Sequence, residues 1–134
     1  MIMQKEIIQK VKQYHGFSIL CGIGILILCT IKIPPQDTPP AFPNFDKFVH
    51  MMMYFVLSLA IILETIKIKS DSTKTMFGIF SVAIIVSAIF GGIIELIQGG
   101  MTDYRSGDIA DWYFDLGGSV LACLAIGLVR LASR

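Results

Sequence analysis

The sequence predicts an all-α membrane protein, a bundle of four transmembrane helices with both termini in the cytoplasm. Three observations predict it. The 134 residues are 54% hydrophobic and only 16% charged, with a mean hydropathy of +0.72, whereas soluble domains carry about 25% charged residues. Uncharged runs cover 16–31, 48–63, 75–94 and 116–129. Basic residues gather at alternate ends of these runs. The composition excludes a soluble enzyme and a disordered tail. A net charge of +1 and a pI near 7.7 give no basic field for nucleic acid.

The elements follow in order as spans of about 16–33, 46–66, 75–98 and 108–130, all within a single membrane domain, 1–134. A span needs roughly 20 residues, because the hydrocarbon core is about 30 Å thick and a helix rises about 1.5 Å per residue. The first run is short and uses Lys32 as a snorkelling end. It follows a basic leader but is not succeeded by a small-residue cleavage site, so it reads as an uncleaved span. Cys21, Cys29 and Cys123 each sit in an apolar run and read as small packing residues. The second and fourth spans reach full length only by extending back to Asp46 and Asp108, which brings ionisable groups to the membrane boundary.

Lys5, Lys10, Lys12, Lys67, Lys69, Lys74, Arg130 and Arg134 all fall on one side of a four-span arrangement. The positive-inside rule makes that side the cytoplasm. All five prolines, Pro34 to Pro43, lie in the first outer loop, which is therefore a stiff extended connector. His15 reads as an interfacial residue and Glu64 as an interfacial partner of Lys67.

The faces of the spans carry the functional signal. Asp46, His50, Tyr54 and Ser58 repeat every four residues, with Lys47 on the same side, so the second helix has a polar stripe. Ala83, Ser87, Gly91 and Glu95 form a small-residue stripe ending in a carboxylate, with Gln98 beyond. Asp108, Asp111 and Asp115 begin the fourth helix and lead into Gly118, Ala122 and Ala125. Small faces let helices approach closely, so the third and fourth helices are expected to pack on each other. Glu95, Gln98, Asp111 and Asp115 would then converge near Lys47, His50 and Tyr54, with Arg105 entering from the loop. A structural account pairs Arg105 with Glu95 and Asp46 with Lys47, and caps the fourth helix with Asp111. Ionisable groups in spans point instead to function. Asp46, Glu95, Asp103, Asp108, Asp111 and Asp115 face only Lys47 and Arg105, and carboxylates crowded away from water do not all stay charged. Either some are protonated or a cation enters. A divalent cation held by carboxylates and His50 meets this need, although no familiar ligand spacing marks it.

The ordered set Asp46-Lys47-x-x-His50-x-x-x-Tyr54, Glu95-x-x-Gln98 and Arg105-Ser106-x-Asp108-x-x-Asp111-x-x-x-Asp115-x-x-Gly118 resembles the VanZ-like family of small bacterial membrane proteins, over about residues 46–128. The family often has asparagine where this chain has Asp115. The resemblance implies a multi-pass protein of the bacterial inner (cytoplasmic) membrane, an envelope context and, from the namesake, low-level antibiotic resistance to the glycopeptide teicoplanin.

Three functions compete. In the first, the protein binds or handles an envelope component: a polyprenyl-phosphate lipid, a cell-wall (peptidoglycan) precursor or a glycopeptide. Lys47, His50 and Arg105 would contact its phosphate or carboxylate, while Glu95, Asp111 and Asp115 orient them or hold a cation. In the second, it is an intramembrane hydrolase or transferase acting on a phosphorylated lipid, with His50 as general acid or base oriented by Asp46 or Asp111. His-Glu-x-x-His and Gly-x-Ser-x-Gly are both missing, so the reading leans away from an enzyme. In the third, Glu95, Asp115 and His50 relay protons in a small transporter, which needs an oligomer because four helices make a thin wall.

Overall fold

The computed structural model describes residues 2–32, 39, 42–66, 72–103 and 106–133, the side chains of 2 and 7–14 excepted. Four helices account for nearly all of them: α1 (Ile2–Thr30), α2 (Phe45–Ile66), α3 (Thr73–Met101) and α4 (Ile109–Ala132). No strand occurs among the described residues. Three helices, α2, α3 and α4, are long and apolar enough to cross a membrane. The start of α2 and the ends of α3 and α4 fall within a few residues of the expected spans. The proline-rich connector lies largely outside the described residues.

The first element departs most from expectation. α1 begins at Ile2 rather than near residue 16 and leaves the helix at Thr30 rather than 33. His15 breaks its regularity with φ −126° and ψ 24°. Beyond the kink, the apolar stretch His15–Thr30 is shorter than the roughly 20 residues a span requires. A kink frees backbone N–H groups, as at any helix start. Here the Glu64 carboxylate, near the end of α2, accepts from Phe17 N at 2.8 Å and Ser18 N at 3.2 Å. His15 Nδ1 lies 3.7 Å from the same carboxylate. Glu64 therefore caps the apolar part of α1, a task not anticipated from sequence; Lys67, its expected partner, lies outside the described residues.

Other ends are closed by short polar side chains. Ser72 Oγ accepts from Thr75 N at the start of α3, and Asp108 Oδ1 accepts from Ala110 N at the start of α4. Both are ordinary N-caps. Asp108, not Asp111, is the cap of α4. Asn44, at φ 60°, turns the chain into α2 in a conformation asparagine tolerates better than most residues.

α2 and α4 run parallel and α3 runs against both. α3 and α4 pack on each other as expected, but α4 packs more extensively on α2 than on α3. Ala83, Ser87, Gly91, Gly118 and Ala122 are all buried, but they serve different partners. A Cβ on Gly118 would run into the Met51 carbonyl oxygen and sit 2.9 Å from Phe55 N, so Gly118 brings the backbones of α4 and α2 together. Ser87 shares a hydrogen bond with Ser58 of α2 at 3.0 Å. Gly91 alone of the five is shown against the other small-faced helix, beside Trp112 and Asp115.

The bundle is inverted relative to a water-soluble one. His50, Ser58, Ser87, Gln98, Asp111, Asp115 and Ser119 are buried, while Phe77 and Leu96 are 75% and 76% exposed. Buried polar groups must find partners, and an apolar exterior of this extent suits lipid rather than water.

Candidate functional site

The first two turns of α2 place Lys47 and His50 against the start of α4. Lys47 Nζ lies 2.7 Å from Asp108 Oδ2 and 2.8 Å from Asp111 Oδ1. Its ammonium thus joins the cap residue to the first turn of α4. Asp108 lies just outside the membrane-length segment. Its hydrogen bond with Lys47, and then that from Ala110 N–H, hold its carboxyl below the usual range.

One turn deeper, His50 Nδ1 lies 3.2 Å from Asp115 Oδ1. Both residues are buried, Asp115 completely. The third member comes from α3. Glu95 Oε2 accepts from Asp108 N at 2.7 Å, which ties the α3–α4 turn to the cluster. Ligand-type atoms of His50, Glu95 and Asp115 lie within 4.8 Å of one another. Among the described residues, three buried atoms at this end have no hydrogen-bond partner: Tyr54 Oη, Glu95 Oε1 and Asp115 Oδ2. An unsatisfied buried polar atom costs about 1–3 kcal/mol, so three of them together require a physical account.

Two glycines make room for this arrangement. A Cβ on Gly91 would stand 2.8 Å from Asp115 Oδ2. A Cβ on Gly107 would press on the Glu95 backbone carbonyl. Beside them, Trp112 Nε1 donates to the Ala88 carbonyl at 2.9 Å and links α4 to α3. Along this side, α3 and α4 enclose an open groove of about 830 Å³, walled by Ile89, Ile93, Leu96 and Ile109 and reaching Glu95 and Asp108 at its polar part. A second groove of about 880 Å³ opens among α1, α2 and α3, and no carboxylate lines it among the described residues.

Of the residues expected at the site, Lys47, His50, Glu95, Asp108, Asp111 and Asp115 come together, and Tyr54, four residues after His50 on α2, is fully buried. Asp46 stays exposed in the first turn of α2, and Lys47 pairs across to α4 rather than with it. Gln98 turns away, donating to the Cys29 carbonyl of α1 at 2.9 Å. Arg105 lies outside the described residues. The residue orienting His50 is Asp115, not Asp46 or Asp111. Trp112 and Gly107 went unrecognised, since a lone tryptophan and a loop glycine carry no spacing signal.

The fold and site define an all-helical protein with membrane-length helices and a buried histidine–carboxylate cluster at one end. Comparison with protein-family models, with curated proteins and with solved structures finds no match to this chain.

Proposed function

We propose that this is a four-span, VanZ-like protein of the bacterial cytoplasmic membrane, termini inside, that binds an envelope lipid with a phosphate headgroup at its outer end. One observation carries the reading: the α3–α4 groove is lined mainly by apolar residues and also reaches two carboxylates, Glu95 and Asp108. An amphiphile matches that polarity, with a prenyl or acyl chain along Ile93 and Leu96 and a headgroup beside Glu95. A glycopeptide, polar over most of its surface, suits it less. Support for the orientation comes from Lys74 and Arg130, at the ends of α3 and α4 opposite the cluster. The resemblance in ordered residues from Asp46 to Gly118 supports the envelope context.

Lys47 is already committed to two carboxylates, so it does not offer a free charge to a phosphate. The anion is left to Arg105 and to any cation the acidic cluster gathers. The test is native mass spectrometry of lipid that co-purifies with the protein. Gly92 lies in the groove, and a Cβ there meets only Trp112 Nε1, at 3.7 Å. Gly92→Leu should therefore fill the groove without unfolding the bundle and strip the bound lipid, and Arg105→Ala should lower its amount. An identical lipid complement in all three proteins would sink the proposal.

A second reading, an intramembrane phosphoester hydrolase, is favoured by the His50–Asp115 contact, because a carboxylate at imidazole Nδ1 is how a general base is oriented. It requires turnover of a phosphorylated prenyl or diacylglycerol lipid that His50→Gln abolishes. Lipid bound but left unconverted decides for binding alone.

A further inference from the structure

The cluster behind the Lys47 bridge holds more acceptors than donors. Glu95 and Asp115 offer four carboxylate oxygens. One is used by Asp108 N and one by His50, and the other two are buried without a partner. The Tyr54 hydroxyl adds a third unpartnered atom, on a residue with no exposed surface. Its direction follows from helix geometry. Side chains of a helix lean towards its N-terminus, so a residue four places after His50 reaches back over that ring. Buried polar atoms that converge without satisfying each other mark a place for something else.

The electrostatics point the same way. Lys47 is held by Asp108 and Asp111, one positive charge between two carboxylates, and is not available deeper in. A neutral imidazole with two carboxylates carries two negative charges, out of water and between helices. Such charges are retained only when paired or when they coordinate a metal. One divalent cation supplies the missing charge and partners in a single step.

We infer that His50, Glu95 and Asp115 bind one divalent transition-metal cation, with the Tyr54 hydroxyl beside it. One imidazole nitrogen and two carboxylate oxygens suit Zn²⁺ or Mn²⁺, whereas Mg²⁺ and Ca²⁺ prefer all-oxygen shells. Tetrahedral metal–ligand bonds of about 2.0–2.2 Å place ligand atoms roughly 3.3–3.6 Å apart. The present separations of up to 4.8 Å close when the side chains together move by about an ångström or slightly more. Three protein ligands leave positions open to water or to an oxygen of a bound molecule. Gly91 is part of the site, since its missing side chain gives the Asp115 carboxylate its space.

The inference stands apart from the lipid reading, since metal can be measured with no lipid present. The full chain, delipidated in detergent and stripped with a chelator, is incubated with Zn²⁺, Mn²⁺ or Mg²⁺, desalted and assayed for bound metal. One equivalent of Zn²⁺ or Mn²⁺ per chain is expected, with Mg²⁺ not retained. Glu95→Gln and Asp115→Asn preserve shape and hydrogen bonding and should each weaken binding at least about tenfold, while Asp103→Asn, in the exposed turn, should leave it unchanged. No retained metal in the wild type, or equal retention in both isosteric variants, overturns the inference. Visible absorption of the Co²⁺-loaded wild-type protein needs no variant. Ligand-field bands without sulfur charge transfer are expected, and a strong near-ultraviolet thiolate band would assign the metal to Cys29 instead and overturn it.

Discussion

Lys47 holds two carboxylates at once, one at the helix boundary and one buried. Replacing it by methionine leaves Asp111 buried without its counter-ion, and the unfolding temperature at neutral pH should fall. The same residue sets an acid sensitivity. Because Asp108 titrates lower in the folded protein than unfolded, its contribution is complete above the unfolded carboxyl pKa of about 3.9. It is lost as pH falls through the lower folded value. Thermal unfolding between pH 6 and 3 should show this loss in the wild type and a flatter profile in Lys47→Met. The adjacent glycines of α3 give a paired test. Gly91→Ala drives a methyl against a buried carboxylate and Trp112, and should cost about 1–3 kcal/mol. Gly92→Ala meets only ordinary contact and should be neutral or slightly stabilising, as alanine favours helix by up to about 1 kcal/mol over glycine. Equal effects from the two would show that Asp115 does not occupy the space beside Gly91.

At the scale of elements, the α2–α4 pair organises the site, and Gly118 is its contact point. Gly118→Ala would set a methyl against the backbone of Met51 and Phe55, which cannot yield as a side-chain end can. A loss of about 3 kcal/mol is expected from overpacking, read as a lower denaturation midpoint. Here the legible and the illegible separate cleanly. The stripe His50, Tyr54, Ser58 and the small residues Ala83, Ser87, Gly91, Gly118 and Ala122 could be read from period alone and are buried, whereas Asp46 is exposed and Ala125 half-buried. Which helix each face meets could not be read, because spacing identifies a buried face but not its partner. α4 turns its acidic and glycine face to α2 because Lys47 and His50 wait there. Gln98 looked like a member of the acidic set by position, yet its amide donates to the Cys29 carbonyl near the end of α1.

For the whole molecule, apolar composition foretold the inverted packing, and the scarce charges foretold that Lys47, His50, Glu95, Asp108, Asp111 and Asp115 gather at one end. The kink at His15 was hidden, since it depends on a carboxylate nearly fifty residues away in sequence meeting Phe17 and Ser18. If four spans cross with both termini inside, single cysteines replacing Thr73 and Ser133 should react with an impermeant thiol reagent only after cells are opened, whereas one replacing Asp103 should react in intact cells. Labelling of all three from outside would exclude that topology.

The apolar part of α1 is held at its start by Glu64 of α2 and at its end by Gln98 of α3. Both partners are made later than the segment they hold. If α1 is the fourth span, its apolar part is too short to commit itself alone, and its retention in the bilayer waits on synthesis of α2 and α3. Chains halted after Ile66 should leave that segment extractable or accessible to protease, and chains extended through α3 should protect it. The order of translation becomes part of how this small bundle acquires its topology.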